Sequence, residues 1–328
     1  MNIAFCGLRH AHINVLYDLA SAQASTSVLG AWEEDDAARQ AAQARMACPF
    51  YGSYDELLSD ERVDIVAVGD YYGIRGQRVI AALRAGKHVM CDKPICTRLE
   101  ELDEIERLCR EKGLYVGCML DLRYDPALRL ARDIILEGRL GEIHAINFTG
   151  QHPLQYGVRP MWYFEPGKHG GTFNDLAIHG LDAVRYITGL KYRRTVMARQ
   201  YNAFAHSQPD FADCAQLLGE YENGAGLMAD VSYSAPAPSA FSLPTYWRFS
   251  FWGETGMLEC RLGEGRVTLA CAGMEHAQAI QAAPIDEDCL RDLMLTIEGK
   301  PTAFAPNDAF ISTRVALEIQ QYADSLTK

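Results

Sequence analysis

The sequence predicts two domains of different class. Residues 1–122 read as an α/β domain on a parallel, doubly wound sheet, and residues 123–328 as an α+β domain with a large open mixed or antiparallel sheet. Three observations carry this. Up to about Cys118, short apolar runs alternate with segments of helical periodicity, the pattern of strands joined by crossover helices. Beyond it, strand-like runs follow one another without helices between them. The chain has 328 residues, 48% hydrophobic and 23% charged, which is globular composition long enough for two cores.

Taken in order, the first strands are expected at Ile3–Cys6, Val28–Trp32, Val63–Val68, His88–Cys91 and Leu114–Cys118. Ser53-x-x-Glu56 and Thr97-x-x-Glu100 have the form of capping boxes and should open helices. Gly86 follows an alanine-rich helical stretch, where a residue able to take positive φ stops a helix. In the second domain a helix is expected at Asp125–Glu137, a strand near Ile143–Phe148 and a helix over about Thr172–Ile187. Strands should follow near 195–203, 215–221, 226–232, 246–252 and 267–271. Pro236, Pro238 and Pro244 exclude a central strand from 234–244 and make it a loop. A last helix, from about Asn307 to Ser325, is expected to pack back on one of the two domains.

Thirty-one Lys and Arg against 43 Asp and Glu leave a net charge of −12. Such a field repels phosphate backbones and anionic lipid, so nucleic acid and membrane surfaces are poor partners. The ten cysteines form no C-x-x-C pair and suit a reducing compartment. The first residues lack a basic segment ahead of an apolar one, and no apolar run is long enough to span a bilayer. A cytoplasmic protein is expected.

The first strand runs into Gly7-Leu8-Arg9-His10-Ala11-His12, where a dinucleotide-binding domain carries G-x-G-x-x-G. Gly7 can make the tight turn. Arg9 replaces the glycine that lets backbone approach a pyrophosphate, and His12 the one that allows close helix packing. Both could supply positive charge to a pyrophosphate instead. Glu33 ends the second strand about 20 residues further on, the spacing at which a carboxylate meets the adenosine ribose hydroxyls. No Lys or Arg lies between Val28 and Ala38 to receive a 2′-phosphate, which favours NAD over NADP. The competing reading makes Glu33 to Asp36 a solvated loop that caps a helix.

Two further segments carry a resemblance. Ala85-Gly86-Lys87-His88-Val89-Met90-Cys91-Asp92-Lys93-Pro94 closely resembles the A-G-K-H-V-x-x-E-K-P signature of the glucose-fructose oxidoreductase, inositol dehydrogenase and rhizopine-catabolism (Gfo/Idh/MocA) family. His169-Gly170-Gly171-Thr172-Phe173-Asn174-Asp175-Leu176-Ala177-Ile178-His179-Gly180-Leu181-Asp182 is similar to its G-G-x-x-x-D-x-x-x-H-x-x-D segment. Gly299-Lys300-Pro301 before the last helix keeps the same order. The resemblance implies a Rossmann domain followed by an α/β domain whose open sheet often makes dimer or tetramer contacts. It also implies hydride exchange between NAD(P) and a sugar, polyol or related alcohol. Carried over by position, Lys93 is the active-site lysine, Asp175 the substrate-orienting carboxylate and His179 the acid/base. Cofactor contacts would come from Gly7, Arg9, His12, Glu33, Asp70, Lys93 and Pro94, and His152 and His169 are candidate substrate contacts.

Chemistry supports these roles. Oxidising a secondary alcohol needs a group to take the hydroxyl proton, and an imidazole titrating near 6.5 can do so. On a helix Asp175 and His179 share a face, so the carboxylate would favour the imidazolium. Lys93 precedes a proline at the carboxyl end of a parallel strand, where doubly wound sheets bind ligands, and its ammonium could polarise an alkoxide. Asp182 reads as structural.

The chain departs from the family pattern in three places. Gly69-Asp70-Tyr71-Tyr72-Gly73-Ile74-Arg75 stands where the family has T-P-x-x-x-H, Asp92 stands for Glu, and the glycine motif is eroded. These departures bear on cofactor geometry. Three other functions compete with the dehydrogenase: NAD-assisted elimination or hydrolysis of a glycoside without net redox, a catalytically silent ligand sensor, and a zinc site of His152, His169, Asp175 and His179. No metal is assigned. A homodimer or homotetramer is expected, because Leu217, Leu227, Val231, Phe249 and Phe251 would otherwise lie partly exposed on the open sheet.

Overall fold

The computed structural model describes residues 1–302 and 308–326, and divides the chain into two compact units. The first comprises Met1–Met119, Pro160–Gly170 and Asp288–Arg314; the second comprises Leu120–Arg159, Gly171–Glu287 and the chain from Val315. Among the described residues no helix is long and apolar enough to cross a membrane.

The first unit is built as β1 (Asn2–Cys6), α1 (His12–Ala22), β2 (Ser27–Trp32), α2 (Asp36–Arg45), α3 (Tyr54–Ser59), β3 (Ile65–Val68), α4 (Tyr72–Arg84), β4 (His88–Cys91), α5 (Leu99–Lys112) and β5 (Val116–Cys118). Its five strands are parallel in the order β2-β1-β3-β4-β5. They are short and apolar because both faces of the sheet are covered. The chain steps from β1 outward to β2 and then back across β1 to β3. Strand order therefore reverses at β1, and the carboxyl ends there open the crevice in which such sheets bind ligands.

Helix starts follow their caps. Asp35 accepts from the Ala38 N–H to open α2, and Ser53 accepts from the Glu56 N–H at 3.0 Å to open α3. The capping box expected at Thr97 does not form. The cap position is Arg98, the helix begins one residue later, and Arg98 instead pairs with the buried carboxylate of Glu101. Gly86, at φ 79°, ends the stretch after α4 as expected.

The second unit contains α6 (Pro126–Leu136), β6 (Ile143–Gln151), α7 (Ile178–Thr188), β7 (Tyr192–Tyr201), β8 (Cys214–Tyr221), β9 (Gly226–Ser232), β10 (Arg248–Gly253), β11 (Gly256–Arg261), β12 (Arg266–Cys271) and β13 (Gln278–Gln281). The sheet runs β13-β12-β11-β10-β6-β9-β8-β7; β6 and β9 are parallel and every other pair is antiparallel. Residues 234–244 form a loop with one 3-10 turn at Ser239–Ser242. Helix α7 lies so close on β6 that a Cβ on Gly180 would come within 2.3 Å of the Phe148 ring. The chain ends in α8 (Cys289–Ile297), packed against β5, and α9 (Asp308–Leu326). The expected helix start at Asn307 lies outside the described residues.

One expectation is overturned. Leu217, Leu227, Val231, Phe249 and Phe251 are not exposed; each is 5% accessible or less, on the face covered by helices. The residues alternating with them face outward. Met197, Leu218 and Met228 are 51%, 42% and 58% accessible, and pair as neighbours across β7, β8 and β9. Strand period fixes that two faces exist, and the more apolar set goes inside.

Candidate active site

The loop after β1 is tied down by charge. Gly7 turns at φ 71°, and a Cβ there would collide with Asp70 at 2.5 Å. Asp70, fully buried, takes φ 74° in the left-handed region that only small or locally bonded residues reach cheaply. Its carboxylate accepts the Tyr71 N–H at 2.7 Å and pairs with the Arg9 guanidinium. Glu33 is also fully buried, accepting from the Leu8 N–H and, at 2.9 Å, from the Asp35 N–H. Burial raises its pKa and the two amides pull it back. Glu33 thus braces the loop from beneath, so the solvated-loop reading does not hold for it. The open carboxylate is its neighbour Glu34, which receives Arg9 and Arg78 at 2.7 and 2.8 Å. Burial works against its charge, yet the two guanidiniums hold it below the usual range. Basic groups therefore do reach the end of β2, from Arg9 and from α4 rather than from 28–38.

Beside this lies a buried polar cluster. Arg75 on α4 donates to the Gly69 carbonyl at 2.7 Å, to the Lys93 carbonyl and, at 2.6 Å, to the Asp92 carboxylate, tying the ends of β3 and β4 together. His10 Nδ1 also meets Asp92. His10 Nε2 faces the Tyr163 and Tyr72 hydroxyls at 3.1 and 3.2 Å, and these hydroxyls are 2.6 Å apart. Burial pushes His10 down to about 3, while Arg75 keeps Asp92 ionised against its own burial. The pair is thus a carboxylate accepting from a neutral imidazole. His12 opens α1 with its side chain 47% exposed and Nδ1 3.4 Å from Asp92. The Lys93 ammonium lies 5.5 Å from the centre of the Tyr72 ring, and Pro94 follows it in a buried turn. Trp162 donates to the Arg9 carbonyl at 3.3 Å, and the buried ring of His169 lies against Tyr163.

In the second unit Asp175 sits in a π-helical turn, Phe173–Ala177, that runs into α7. The expected single α-helix from about Thr172 is therefore widened at its first turn. Such π turns insert one residue and commonly mark functional sites. Asp175 is buried and accepts from the Tyr233 hydroxyl. His179, half-buried, packs edge-on against Trp247, with ring centres 5.8 Å apart, and His152 touches the same indole at 5.4 Å. Asp182 is locked in a buried two-point pair with Arg123, in keeping with a structural part.

Among the described residues the one trio within reach of a shared metal ion is His10, His12 and Asp92, not the histidines of 152–179. Arg75 already neutralises Asp92 there and would oppose a cation, so the geometry suits the ion pair better. Sequence reasoning passed over His10, Tyr72, Arg75, Arg78, Glu34, Trp162, Tyr163 and Tyr233. The signal for several of them was present as departures from the family pattern.

Residues 1–119 match the model of an oxidoreductase family with an NAD-binding Rossmann fold, and residues 128–259 match that of the GFO/IDH/MocA C-terminal domain. The chain belongs to the Gfo/Idh/MocA family. Among Gfo/Idh/MocA relatives, 1,5-anhydro-D-fructose reductase of Ensifer adhaerens is 35% identical over 135 residues, 41% of this chain and 40% of its own. The matches to the first curated relatives span between 40% and 52% of those proteins. A crystal structure from Erwinia carotovora atroseptica SCRI1043 superposes with TM-score 0.87 at 26% identity, covering 98% of each chain. Levoglucosan dehydrogenase, in complex with NADH and levoglucosan, superposes with TM-score 0.81 at 18% identity over 99% of this chain and 97% of its own, a likeness of fold.

The Gfo/Idh/MocA family implies a nicotinamide dinucleotide, and the donor set of the first unit suits one. A cavity of about 600 Å³ adjoins the glycine turn, lined by Leu8, Arg9, Asn14, Arg45, Tyr71 and Lys168 among others. Its volume is in the range of nucleotide and ligand pockets. Helix α1 begins beside it with no side-chain cap and no acidic residue in its first turn, so its first amides favour an anion there.

Proposed function

We propose that the protein is an NAD-dependent oxidoreductase that moves hydride between nicotinamide and a secondary alcohol of a sugar, polyol or related small molecule. What carries the reading is that both halves of the chain match the domains of one oxidoreductase family. The bound cofactor would supply the hydride acceptor or donor. The chain's own residues do the rest. His179 takes the hydroxyl proton as hydride leaves the carbon. Asp175, steadied by Tyr233, orients the substrate and favours the charged imidazole. The Lys93 ammonium stabilises the developing alkoxide. His152, which shares the Trp247 indole with His179, and His169 are assigned substrate contacts.

NAD is the preferred cofactor in this reading. Glu33, Glu34 and Asp70 crowd the end of β2 with negative charge, against which a 2′-phosphate is repelled. Gly7, Arg9, His12, Lys93 and Pro94 complete the cofactor contacts. The protein works in the cytoplasm as a homodimer or homotetramer, its outward row of Met197, Leu218 and Met228 supplying apolar area for self-association. The test is a reduction screen with NAD and NADP against sugars, inositols and their acids. NADH accumulation with a polyhydroxylated alcohol is expected. Substrate loss without NADH would indicate elimination or hydrolysis, and ligand binding without turnover would indicate a sensor.

A further inference from the structure

The turn that presents Asp175 is capped from far away in the chain. Thr172 stands at its cap position, but the Thr172 hydroxyl donates to the Ala212 carbonyl and caps nothing. The Phe173 N–H, first of the π turn, donates instead at 3.1 Å to Oε1 of Gln320 on α9, 147 residues further on. Phe173 is fully buried and Gln320 6% exposed, so no water stands ready to replace that acceptor. The fit is close. Gly171 takes φ 95°, and a Cβ there would lie 2.1 Å from the carbon of the Gln320 amide, so the glycine turn rests directly on this side chain. On its other side Gln320 Nε2 donates to Asp324 Oδ1 at 2.8 Å, one helical turn on, and the same oxygen receives Gln200 Nε2 from β7. A carboxylate only accepts, so Asp324 fixes which end of the amide faces Phe173.

We propose that Gln320 is a positioning residue of the active site: by accepting the Phe173 N–H against Gly171, it holds the π turn that aims Asp175. The proposal rests on the reading that Asp175 orients the substrate. Asp175 lies two residues beyond the capped amide, and its own N–H donates to the Gly171 carbonyl at 3.0 Å. Both backbone anchors of the turn therefore run through the residues that Gln320 touches. An isolated π turn is rare and needs such support. One helical residue spans about 100°, so closing the turn to an ordinary α turn would swing the Asp175 carboxylate away from the Tyr233 hydroxyl that it accepts.

The test is steady-state kinetics on the whole protein with NAD and the aldose, inositol or sugar acid that wild type oxidises fastest, with NADH affinity read by calorimetry. The variants are Gln320→Met, Gln320→Glu combined with Asp324→Asn, Asp175→Asn, and Gln320→Met combined with Asp175→Asn. Gln320→Met keeps the side-chain length and removes the acceptor. It should raise KM for the alcohol by about 10 to 30-fold, with kcat and NADH affinity moving less than about threefold. The exchanged pair, Gln320→Glu with Asp324→Asn, keeps an acceptor toward Phe173 and should return KM to within about threefold of wild type. On the Asp175→Asn background Gln320→Met should add less than about twofold, because both changes remove the same contact. Should Gln320→Met fail to fold, Asp324→Ala, at an exposed position, loosens Gln320 without removing it and should raise KM by about two to fivefold; an unmoved KM then overturns the proposal. Loss of active protein at wild-type KM, or a full Gln320→Met effect on the Asp175→Asn background, makes Gln320 a structural residue only and spares the role of Asp175. A wild-type KM and rate in Asp175→Asn overturns that role, and the proposal falls with it. A wild type that oxidises none of these compounds overturns the dehydrogenase reading beneath both.

Discussion

The Arg9 guanidinium and the Asp70 carboxylate pair at 2.7 Å directly against Gly7, joining the loop after β1 to the loop after β3. Each residue is a departure from the family pattern, and each answers the other. Arg9 removes the permissive second glycine of the loop, and Asp70, held at φ 74°, supplies the counter-charge that fixes the arginine there.

Arg9→Met should therefore cost stability, because it leaves a fully buried Asp70 with one guanidinium fewer. The loss expected is about 2–4 kcal/mol by urea unfolding. Asp70→Asn made together with Arg9→Met should recover part of it, and a double-mutant cycle that returns additive effects would show the pair to be uncoupled.

The parallel sheet, the glycine turn and the Asp175 to His179 segment were legible in the sequence because each rests on local pattern: apolar period, one positive-φ residue, a short motif. What was not legible depended on meetings between distant segments. His10 and Asp92 come from the loops after β1 and β4, and Tyr72 and Arg75 from the first turn of α4, and only folding brings them into one cluster. Spacing gave Glu33 its place at the end of β2 but not its burial, which leaves Glu34 as the exposed carboxylate. Alternation in β8 and β9 announced two faces without saying which one the helices cover. The short polar strand β13, with no buried residue, left no periodic signal.

The neutral His10 makes stability depend on acid. An unfolded histidine protonates near 6.5, whereas His10 in the folded protein does so only at about 3. Between those values the unfolded chain binds the extra proton, so His10's part of the stability is whole above 6.5 and drains as pH falls toward 3. Asp92, held well below its ordinary value, adds a loss that starts only below about pH 4. Urea midpoints should thus fall between pH 6.5 and 4.5 in wild type and flatten over that interval in His10→Gln. Equal slopes in the two proteins would count against a neutral buried imidazole.

Arg123 and Asp182 form a pair buried on both sides, with Nε 2.5 Å from one carboxylate oxygen. Asp182→Asn should lower stability by about 3–5 kcal/mol, the range for stranding one partner of a buried pair. In protein that remains folded at low temperature, cofactor affinity should be unchanged. A large loss of turnover without loss of stability would move Asp182 into the reaction.

If the outward row on β7, β8 and β9 is the self-association surface, a charge at its centre should break the oligomer. Met228→Glu sits between Leu218 and Asn147 in register, at a 58% exposed position where the monomer tolerates a carboxylate. Light scattering should give a multiple of the chain mass for wild type and a single chain for the variant. A wild type that scatters as one chain at micromolar concentration removes the claim.

The role proposed for His179 makes the most specific claim about the reaction. If its imidazole accepts the alcohol proton, kcat/KM for oxidation should fall toward low pH as the ring protonates, with an apparent pKa that reports the free enzyme. His179→Asn keeps a polar side chain of similar reach but cannot serve as the base. It should lower kcat by about 10² to 10⁴-fold and leave NAD affinity nearly unchanged, since that histidine is assigned to the substrate and not to the cofactor. Lys93→Met should slow the same step and is told apart by its profile: losing an ammonium that steadies an alkoxide lowers the rate at every pH, whereas losing the base also removes the acid limb. A wild-type rate with His179→Asn would send the proton elsewhere, and Lys93 is then the next group to test.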